Sequence, residues 1–406
     1  MKHWKLLCAV ASAFAVQGVA HAGLLGPIEN QYIVVLKSKT LPGPAAVRPV
    51  AQNLLGRVGG GDLLWVYGNS LNGFAVRIPA VAAAALADNP LVAYVEQDQN
   101  FQLVTTQTNP PSWGLDRIDQ AALPLNQMYT YGGTGAGVKV YDIDTGLRST
   151  HTDFAGRVLP GRNFASKGTG FLCVNFGFNC PAANPTDTSD CNGHGTHTAG
   201  TAVGTTYGVA KGAKIVPVSV FGCGNSTATS TIIAGVDWAT GDHQAGQPAA
   251  ANMSLGGAAS AAMDTAVQNL INDGVTVAVA AGNDSGGDAC GTSPADVPGA
   301  ITVGSTDSND ARSSFSNIGT CVDLFAPGGS ITSTWNTSDT ASNTISGTSM
   351  ATPHVTGAAA RYLAANPTAT PAQVQSAIVA AATTGVVGNP GAGSPNRLLF
   401  VSPTGP

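Results

Sequence analysis

Gly347-Thr348-Ser349-Met350-Ala351-Thr352-Pro353-His354, running on into the alanine-rich stretch Val355 to Ala365, is the segment around which the chain arranges itself. A serine among small residues, with a proline four positions on, predicts a turn feeding the opening turn of a buried helix. Pro353 has no N–H, a lack that a helix tolerates only in its opening turn. Ser349 then sits where free backbone N–H groups point outward and the helix dipole favours negative charge, a place suited to an oxyanion. Taken alone, the octet reads equally well as an ordinary helix N-cap. It acquires chemistry only beside a base.

Two further segments supply one. Val138-Lys139-Val140-Tyr141-Asp142-Ile143-Asp144-Thr145-Gly146 reads as a buried strand ending on a carboxylate at a glycine turn. Asn192-Gly193-His194-Gly195-Thr196-His197-Thr198-Ala199-Gly200 places an imidazole where a glycine-rich turn enters a helix. Asp, His and Ser arrive in that order, each at the end of a regular element, as they do in subtilisin. On these residues the chain resembles the subtilisin-like serine peptidases and, within them, the proteinase K branch.

A length of 406 residues allows two or three domains with a large core, and 43% hydrophobic residues is ordinary for a globular protein. Only 10% of residues are charged and 51 are glycine. That balance suits a compact exported enzyme better than a disordered chain, which needs high charge and few apolar residues. A net charge of -5 leaves no basic footprint for nucleic acid.

Residues 1–22 carry Lys2 and Lys5, an apolar run from Leu6 to Val19, and then Ala20-His21-Ala22. This is the order of a signal peptide, and the run is shorter than the ~20 residues of a spanning helix. The expectation is a secreted, extracellular chain starting at Gly23, with no membrane anchor. In residues 23–104, Gln31 to Lys37, Leu71 to Ile78 and Leu91 to Glu96 read as strands, with a helix between Pro79 and Asn89. This unit resembles the inhibitor-type propeptide, a small α+β domain that precedes many subtilisin-like peptidases. The resemblance implies an intramolecular inhibitor and folding aid that is removed by cleavage. The tail Asn100 to Thr106 reads as polar and irregular, so the cut that frees the catalytic domain, residues 105–406, falls near Thr105.

Beyond Thr108, apolar runs at Val138 to Ile143, Ile215 to Val220, Asn252 to Ser254, Thr276 to Ala281 and Ile301 to Val303 alternate with helical ones. The helical runs are His197 to Val203, Ser230 to Ala239, Ala262 to Asp273 and Gly347 to Ala365. Such alternation predicts an α/β domain, a mostly parallel sheet with helices on both faces. Its ligand crevice then lies at the carboxyl ends of the strands.

Each candidate residue has a physical job. Ser349 has too high a pKa to attack an amide unaided; His194 is the candidate base, and Asp144 holds the imidazole tautomer and stabilises the imidazolium. His197 is the rival base, but in the family the first histidine of this motif is the catalytic one. His151 and His354 carry no such motif. Asp142 departs from the family pattern, which has an apolar residue there. Alternation puts it on the face of Asp144, where neighbouring carboxylates raise one pKa. Val277 to Asn283 resembles the family's oxyanion-hole strand, which implies that Asn283 donates to the developing O⁻ with the Ser349 N–H.

Ser254, Leu255, Gly256 and Gly257 resemble the family's substrate-binding segment, and Asn225, Ser226, Thr227 and Ala228 the opposing one. Polypeptide substrates would add between them as a strand. The pocket walls, Ala280, Ala281 and Gly282 with Gly256 to Ala258, carry no charge. Broad specificity favouring apolar or aromatic side chains before the cut follows.

With Cys8 inside the leader, six of the seven cysteines remain, an even number in an exported chain, so disulfides are expected. The resemblance implies Cys191 with Cys223 and Cys290 with Cys321; Cys173 and Cys180 would then close a small loop in the segment Ser166 to Asp190, longer here than in cold-water bacterial relatives of proteinase K. The resemblance also implies structural calcium, whose hard-oxygen preference suits the Pro298 and Ala300 carbonyls with Asp323, as at the main proteinase K site. Asp116, Asp119 and Gln120 resemble a second site of cold-water bacterial relatives, although Asn126 and Met128 replace expected ligands there. Asp187 and Asp190 offer a third. The whole reads as a monomeric, secreted, self-processing serine endopeptidase, with a catalytically inert peptide-binding relative as the rival.

Overall fold

A computed structural model describes residues 27–37, 43–99, 104–165 and 184–402. The expected signal peptide, Cys173 and Cys180 lie outside these residues.

The N-terminal unit is an antiparallel sheet with two helices. Its elements are β1 (Pro27–Leu36), α1 (Pro44–Arg57), β2 (Asp62–Tyr67), β3 (Gly73–Arg77), α2 (Ala80–Ala87) and β4 (Val92–Gln99), with strand order β2-β3-β1-β4. Val34, Val47, Leu54, Phe74, Val76 and Leu86 form its buried core. The sequence reading contains neither α1 nor β2. Pro44 and Pro49 hide a helix that nevertheless keeps Val47, Ala51, Leu54 and Leu55 on one face, and β2 lacks a clean inside–outside alternation.

The second unit opens with β5 (Thr105–Thr108), α3 (Trp113–Ile118) and β6 (Met128–Tyr131). β5 pairs with β6, so Thr105 and Thr106 lie in a strand and not in the irregular tail expected there. The main sheet is built from β7 (Lys139–Asp144), β8 (Arg162–Asn163), β9 (Lys214–Ser219) and β10 (Ala249–Met253), and, past a short β11 (Gly257–Ala258), from β12 (Thr276–Ala280). After β13 (Thr292–Ser293) it continues with β14 (Ile301–Thr306) and β15 (Leu324–Pro327); β16 (Ile331–Thr334) and β17 (Ser342–Ile345) make a separate hairpin, and β18 (Thr383–Thr384) and β19 (Arg397–Leu398) finish the edge. The order is β18-β19-β15-β14-β12-β10-β7-β9-β8, with every pairing parallel except β18 with β19.

Helices cover both faces, as expected. Val140, Ala250, Ala278 and Ile301 pack with α4 (His194–Val203) on one face. Tyr141, Ala251, Val277 and Val279 pack with α5 (Thr229–Asp242) and α6 (Ala261–Asn272) on the other. On the first face α7 (Thr348–Ala365) is buried along almost its whole length, and α8 (Pro371–Ala381) packs beside it. A helix apolar all round belongs in a core, which explains the alanine-rich run.

The chain runs from β7 to β8 and β9 on one side, then crosses back to β10 on the other. This reversal opens a crevice at the carboxyl ends of β7 and β10. β7 ends on Asp144, and β10 ends one residue before Ser254.

Arg117 locks α3 into the domain. It is 0% exposed, and its guanidinium donates to both oxygens of Asp310, at 2.6 and 3.0 Å, and to the Gln120 carbonyl at 2.6 Å. Breaking a buried pair strands the remaining charge at a cost of ~3–5 kcal/mol. Arg117→Met is therefore expected to lower the unfolding free energy by that amount, read as a lower denaturant midpoint at unchanged m-value, and an unchanged midpoint would show that the pair is not structural.

Candidate active site

Two glycines bring the end of β7 to the start of α4. Gly146 has φ 121°, and a Cβ there would lie 2.6 Å from the Thr188 carbonyl; Gly193 has φ 110°, and its Cβ would lie 2.5 Å from the Trp335 ring. Only glycine suits these two positions. His194 Nδ1 consequently meets Asp144, at 2.8 Å from Oδ1 and 2.9 Å from Oδ2, while the Thr145 N–H donates to Oδ1 at 2.7 Å. Burial alone lowers the His194 pKa, but the Asp144 charge and hydrogen bond, with Asp190 behind them, outweigh it and raise the value above 6.5.

Asp190, a candidate calcium ligand from the sequence, is engaged otherwise. Its Oδ1 accepts from Thr145 Oγ1 and from the Asn192 and Gly193 N–H groups, and its Oδ2 from the Thr196 N–H and Oγ1. It shapes the turn that carries His194 and adds negative charge beside the ring. His197 is fully buried, donates to the Ile331 carbonyl at 3.0 Å and is driven by burial down to about 3, so it stays neutral. His354 is likewise buried, on the Met350 carbonyl, and His151 is buried against Ala341. Asp142 does share a face with Asp144. Burial first, then the Asp144 charge, raise its pKa well above the carboxylate range, and it accepts from Asn252 Nδ2 at 2.9 Å and Thr198 Oγ1 at 3.3 Å.

Ser349 lies inside the first turn of α7, not ahead of the helix, and Pro353 lies in the helix interior instead of its opening turn. The consequence is local. Pro353 lacks the N–H that would have bonded the Ser349 carbonyl, and Ser254 Oγ donates to that carbonyl instead, at 2.8 Å. In return, the Ser349 hydroxyl donates to the Ser254 carbonyl at 3.1 Å. Asn283 Oδ1 accepts from the Thr348 N–H at 2.9 Å and from Thr348 Oγ1 at 3.0 Å, which leaves the amide NH₂ for the pocket that Asn283 shares with Ser349.

Asp144, His194 and Ser349 line one cleft of about 400 Å³ together with Asn225, Ser226, Thr227, Ser254, Leu255, Gly256 and Gly257. The adjoining pocket of about 430 Å³ adds Gly282, Asn283 and Thr348. Two expected wall residues are elsewhere: Ala228 caps α5, and Ala281 is fully buried with its N–H on the Val303 carbonyl. Phe221, Ile232 and Met263 line the cleft without having been singled out, because their only signal was ordinary apolar patterning. Asp284 places a carboxylate on a wall expected to be uncharged. Asn317 fixes it, donating from Nδ2 to Asp284 Oδ2 at 2.9 Å and accepting the Asp284 N–H at 2.7 Å.

Cys191 is bonded to Cys223 and Cys290 to Cys321, with Cα–Cα distances of 5.0 and 5.3 Å. Each bridge stabilises by roughly 2–4 kcal/mol. Around Asp116, the carboxylate accepts the Asn126 and Gln127 N–H groups at 3.2 and 2.8 Å, and Asp119 Oδ2 accepts the Thr130 N–H at 2.5 Å. Asp119 Oδ1 and Gln120 Oε1 are buried oxygens without a hydrogen-bond partner among the described residues. That donor set fits a hard cation. Pro298, Ala300 and Asp323 also come together, but around the side chain of Gln375, whose Nε2 lies 3.4 Å from the Pro298 carbonyl and 3.0 Å from that of Ala300. Among the described residues, no three His, Cys, Asp or Glu side chains cluster to hold a metal.

The sequence profile of the subtilase family matches residues 135–397, and that of peptidase inhibitor I9 matches residues 31–104. The chain belongs to the subtilase family and is an extracellular subtilisin-like serine protease of the proteinase K-like group, with an I9 inhibitor domain ahead of its catalytic domain. It is 50% identical to the extracellular serine proteinase of Thermus sp. (strain Rt41A), over 96% of this chain and 94% of that one. A cuticle-degrading serine protease of Arthrobotrys oligospora is 41% identical over 96% and 95% of the two chains. The crystal structure of a cold adapted subtilisin-like serine proteinase, 49% identical, superposes with a TM-score of 0.64 over 71% of this chain and 97% of that one. Among the described residues no helix is long and apolar enough to cross a membrane.

Proposed function

We propose that Asp144, His194 and Ser349 hydrolyse peptide bonds through an acyl-enzyme. The observation that carries this reading is the hydrogen-bonded Asp144–His194 pair facing the same cleft as Ser349. Ser349 Oγ turns from the Ser254 carbonyl to His194 Nε2 and gives up its proton as it attacks the substrate carbonyl. Asp144 keeps the proton on Nδ1 and stabilises the imidazolium. The oxyanion takes hydrogen bonds from Asn283 Nδ2 and the Ser349 N–H. His194 then protonates the leaving amine, and water repeats the sequence to release the acid.

The substrate lies as a strand between Asn225–Thr227 and Ser254–Gly257, held mainly by main chain. The apolar lining from Phe221, Leu255, Ile232 and Met263 supports a broad preference for apolar or aromatic side chains before the cut. Residues 1–22 act as signal peptide and 23–104 as the propeptide, inhibitor of its own enzyme; 105–406 remain as a monomeric protease. Trp65 and Tyr94, 70% and 50% exposed on β2 and β4, give that small domain aromatic area to place against the enzyme. Pairing of β5 with β6 ties a new N-terminus near Thr105 to the catalytic unit. Asp116, Asp119 and Gln120 would hold a structural calcium ion, whose charge would offset that of the buried carboxylates there.

An organofluorophosphate tests the reading. It is expected to modify Ser349, one group per chain, with a rate that falls as pH drops through the His194 pKa. A protonated ring cannot take the serine proton, so the fall begins above the 6.5 of an ordinary histidine. An inert peptide-binding relative takes no label, and a rate indifferent to pH would remove His194 from the base's role.

A further inference from the structure

The amide of Gln375 sits where a cation would have to sit. α8 starts from fixed ground: Thr370 Oγ1 accepts the Gln373 N–H, Gln373 Oε1 accepts the Thr370 N–H, and Val374 and Ile378 are buried. From the next turn Gln375 Nε2 reaches the Ala300 carbonyl at 3.0 Å and the Pro298 carbonyl at 3.4 Å. Beside it lies the Asp323 carboxylate, on which Gln375 acts to lower the pKa and whose Oδ2 accepts the Thr302 N–H at 2.8 Å. Main-chain carbonyls only accept, so the end of the carboxamide facing them is the NH₂ end. Calcium holds its oxygens at ~2.3–2.6 Å. An ion at that distance from both carbonyls would have to take the oxygens that the Gln375 nitrogen already bonds. The two occupants exclude each other.

We propose that the Gln375 carboxamide takes the place of a metal ion at this junction, cross-linking the Pro298–Ala300 loop, the Asp323 approach to β15, and α8. Two N–H donors do there by hydrogen bonding what a divalent charge would do by coordination. In this chain helix α8 is therefore tied to the segments leading into β14 and β15 whether or not calcium is present. Gln375 blocks ion binding at this point; were it to swing round and offer Oε1, it would assist binding, and removing it would have the opposite effect.

Ion counting separates the two. Native mass spectrometry of the chain, with Ser349 covalently blocked against self-digestion and equilibrated with calcium, compares wild type, Gln375→Ala, and Gln375→Ala combined with Asp323→Asn. Gln375→Ala is expected to hold one calcium ion more than wild type, and the double variant to lose it again. The count is a difference between variants, so it is independent of any ion at Asp119 and of catalysis. A second variant covers poor folding of the first: Gln375→Glu sets a carboxylate against Asp323, so its thermal midpoint is expected to fall in chelator and to recover with calcium, while the midpoint difference between Gln375→Glu and wild type closes. Equal counts in wild type and Gln375→Ala, a lower count in Gln375→Ala, or a Gln375→Glu midpoint indifferent to calcium would each overturn the proposal.

Discussion

Ser349→Ala is expected to yield a secreted chain that still carries residues 23 to about 104 and whose peptide hydrolysis has fallen by roughly 10⁶-fold, the loss seen when a subtilisin triad is stripped of its nucleophile. The size follows from geometry. The other groups on the cleft, His194 on Asp144 and Asn283 on Thr348, orient a reaction but form no bond to the substrate carbon. Removing the hydroxyl leaves binding and electrostatics intact and deletes the covalent step. Intact-mass measurement and N-terminal sequencing of the product read both effects at once. Added active enzyme should trim the variant in trans, which separates loss of chemistry from loss of folding. Normal trimming of Ser349→Ala with no other peptidase present would end the self-processing idea.

Asn283→Ala is expected to lower kcat by ~10²–10³-fold with KM nearly unchanged, the loss known for removing this kind of donor from a subtilisin. The carboxamide oxygen is committed to the Thr348 N–H and hydroxyl, so the NH₂ is held in place before any negative charge appears. Preorganisation of that sort acts on the transition state and hardly on the ground state. Truncation to alanine also strands the Thr348 N–H, so Asn283→Asp is the companion variant: it keeps an acceptor for Thr348 but offers the oxyanion a like charge. Its turnover should fall at least as far, at wild-type thermal stability. A rise in KM that accounts for the whole defect would place Asn283 in substrate binding alone.

The site's bonded groups were legible because each occupies an element end with a local signature. A buried apolar run stopping on Asp144 at a glycine, a glycine turn entering a helix at His194, and a second buried run with Asn283 three residues past its end are patterns of short range. What escaped has no such range. Asp190 matters because its carboxylate ties the turn of Asn192, Gly193 and Thr196 to Thr145, 45 residues upstream, and Trp335 because its ring presses on Gly193. Gln375 was silent for the same reason, since its partners lie at Pro298, Ala300 and Asp323, far away along the chain. Pro353 misled in an instructive way: proline was read as a mark of the helix start, whereas a hydroxyl from another element satisfies the carbonyl it leaves without a partner. Helix α1, which contains Pro44 and Pro49, was not read from the sequence.

The helix bearing Ser349 touches water almost nowhere. Such a segment cannot fray open by itself, so its hydroxyl acquires a neighbourhood only when strands hundreds of residues upstream have already closed around it. A half-synthesised or half-folded copy therefore has no blade to turn on the cell that is making it, and the danger of manufacturing a protease is deferred until the last of the core has assembled.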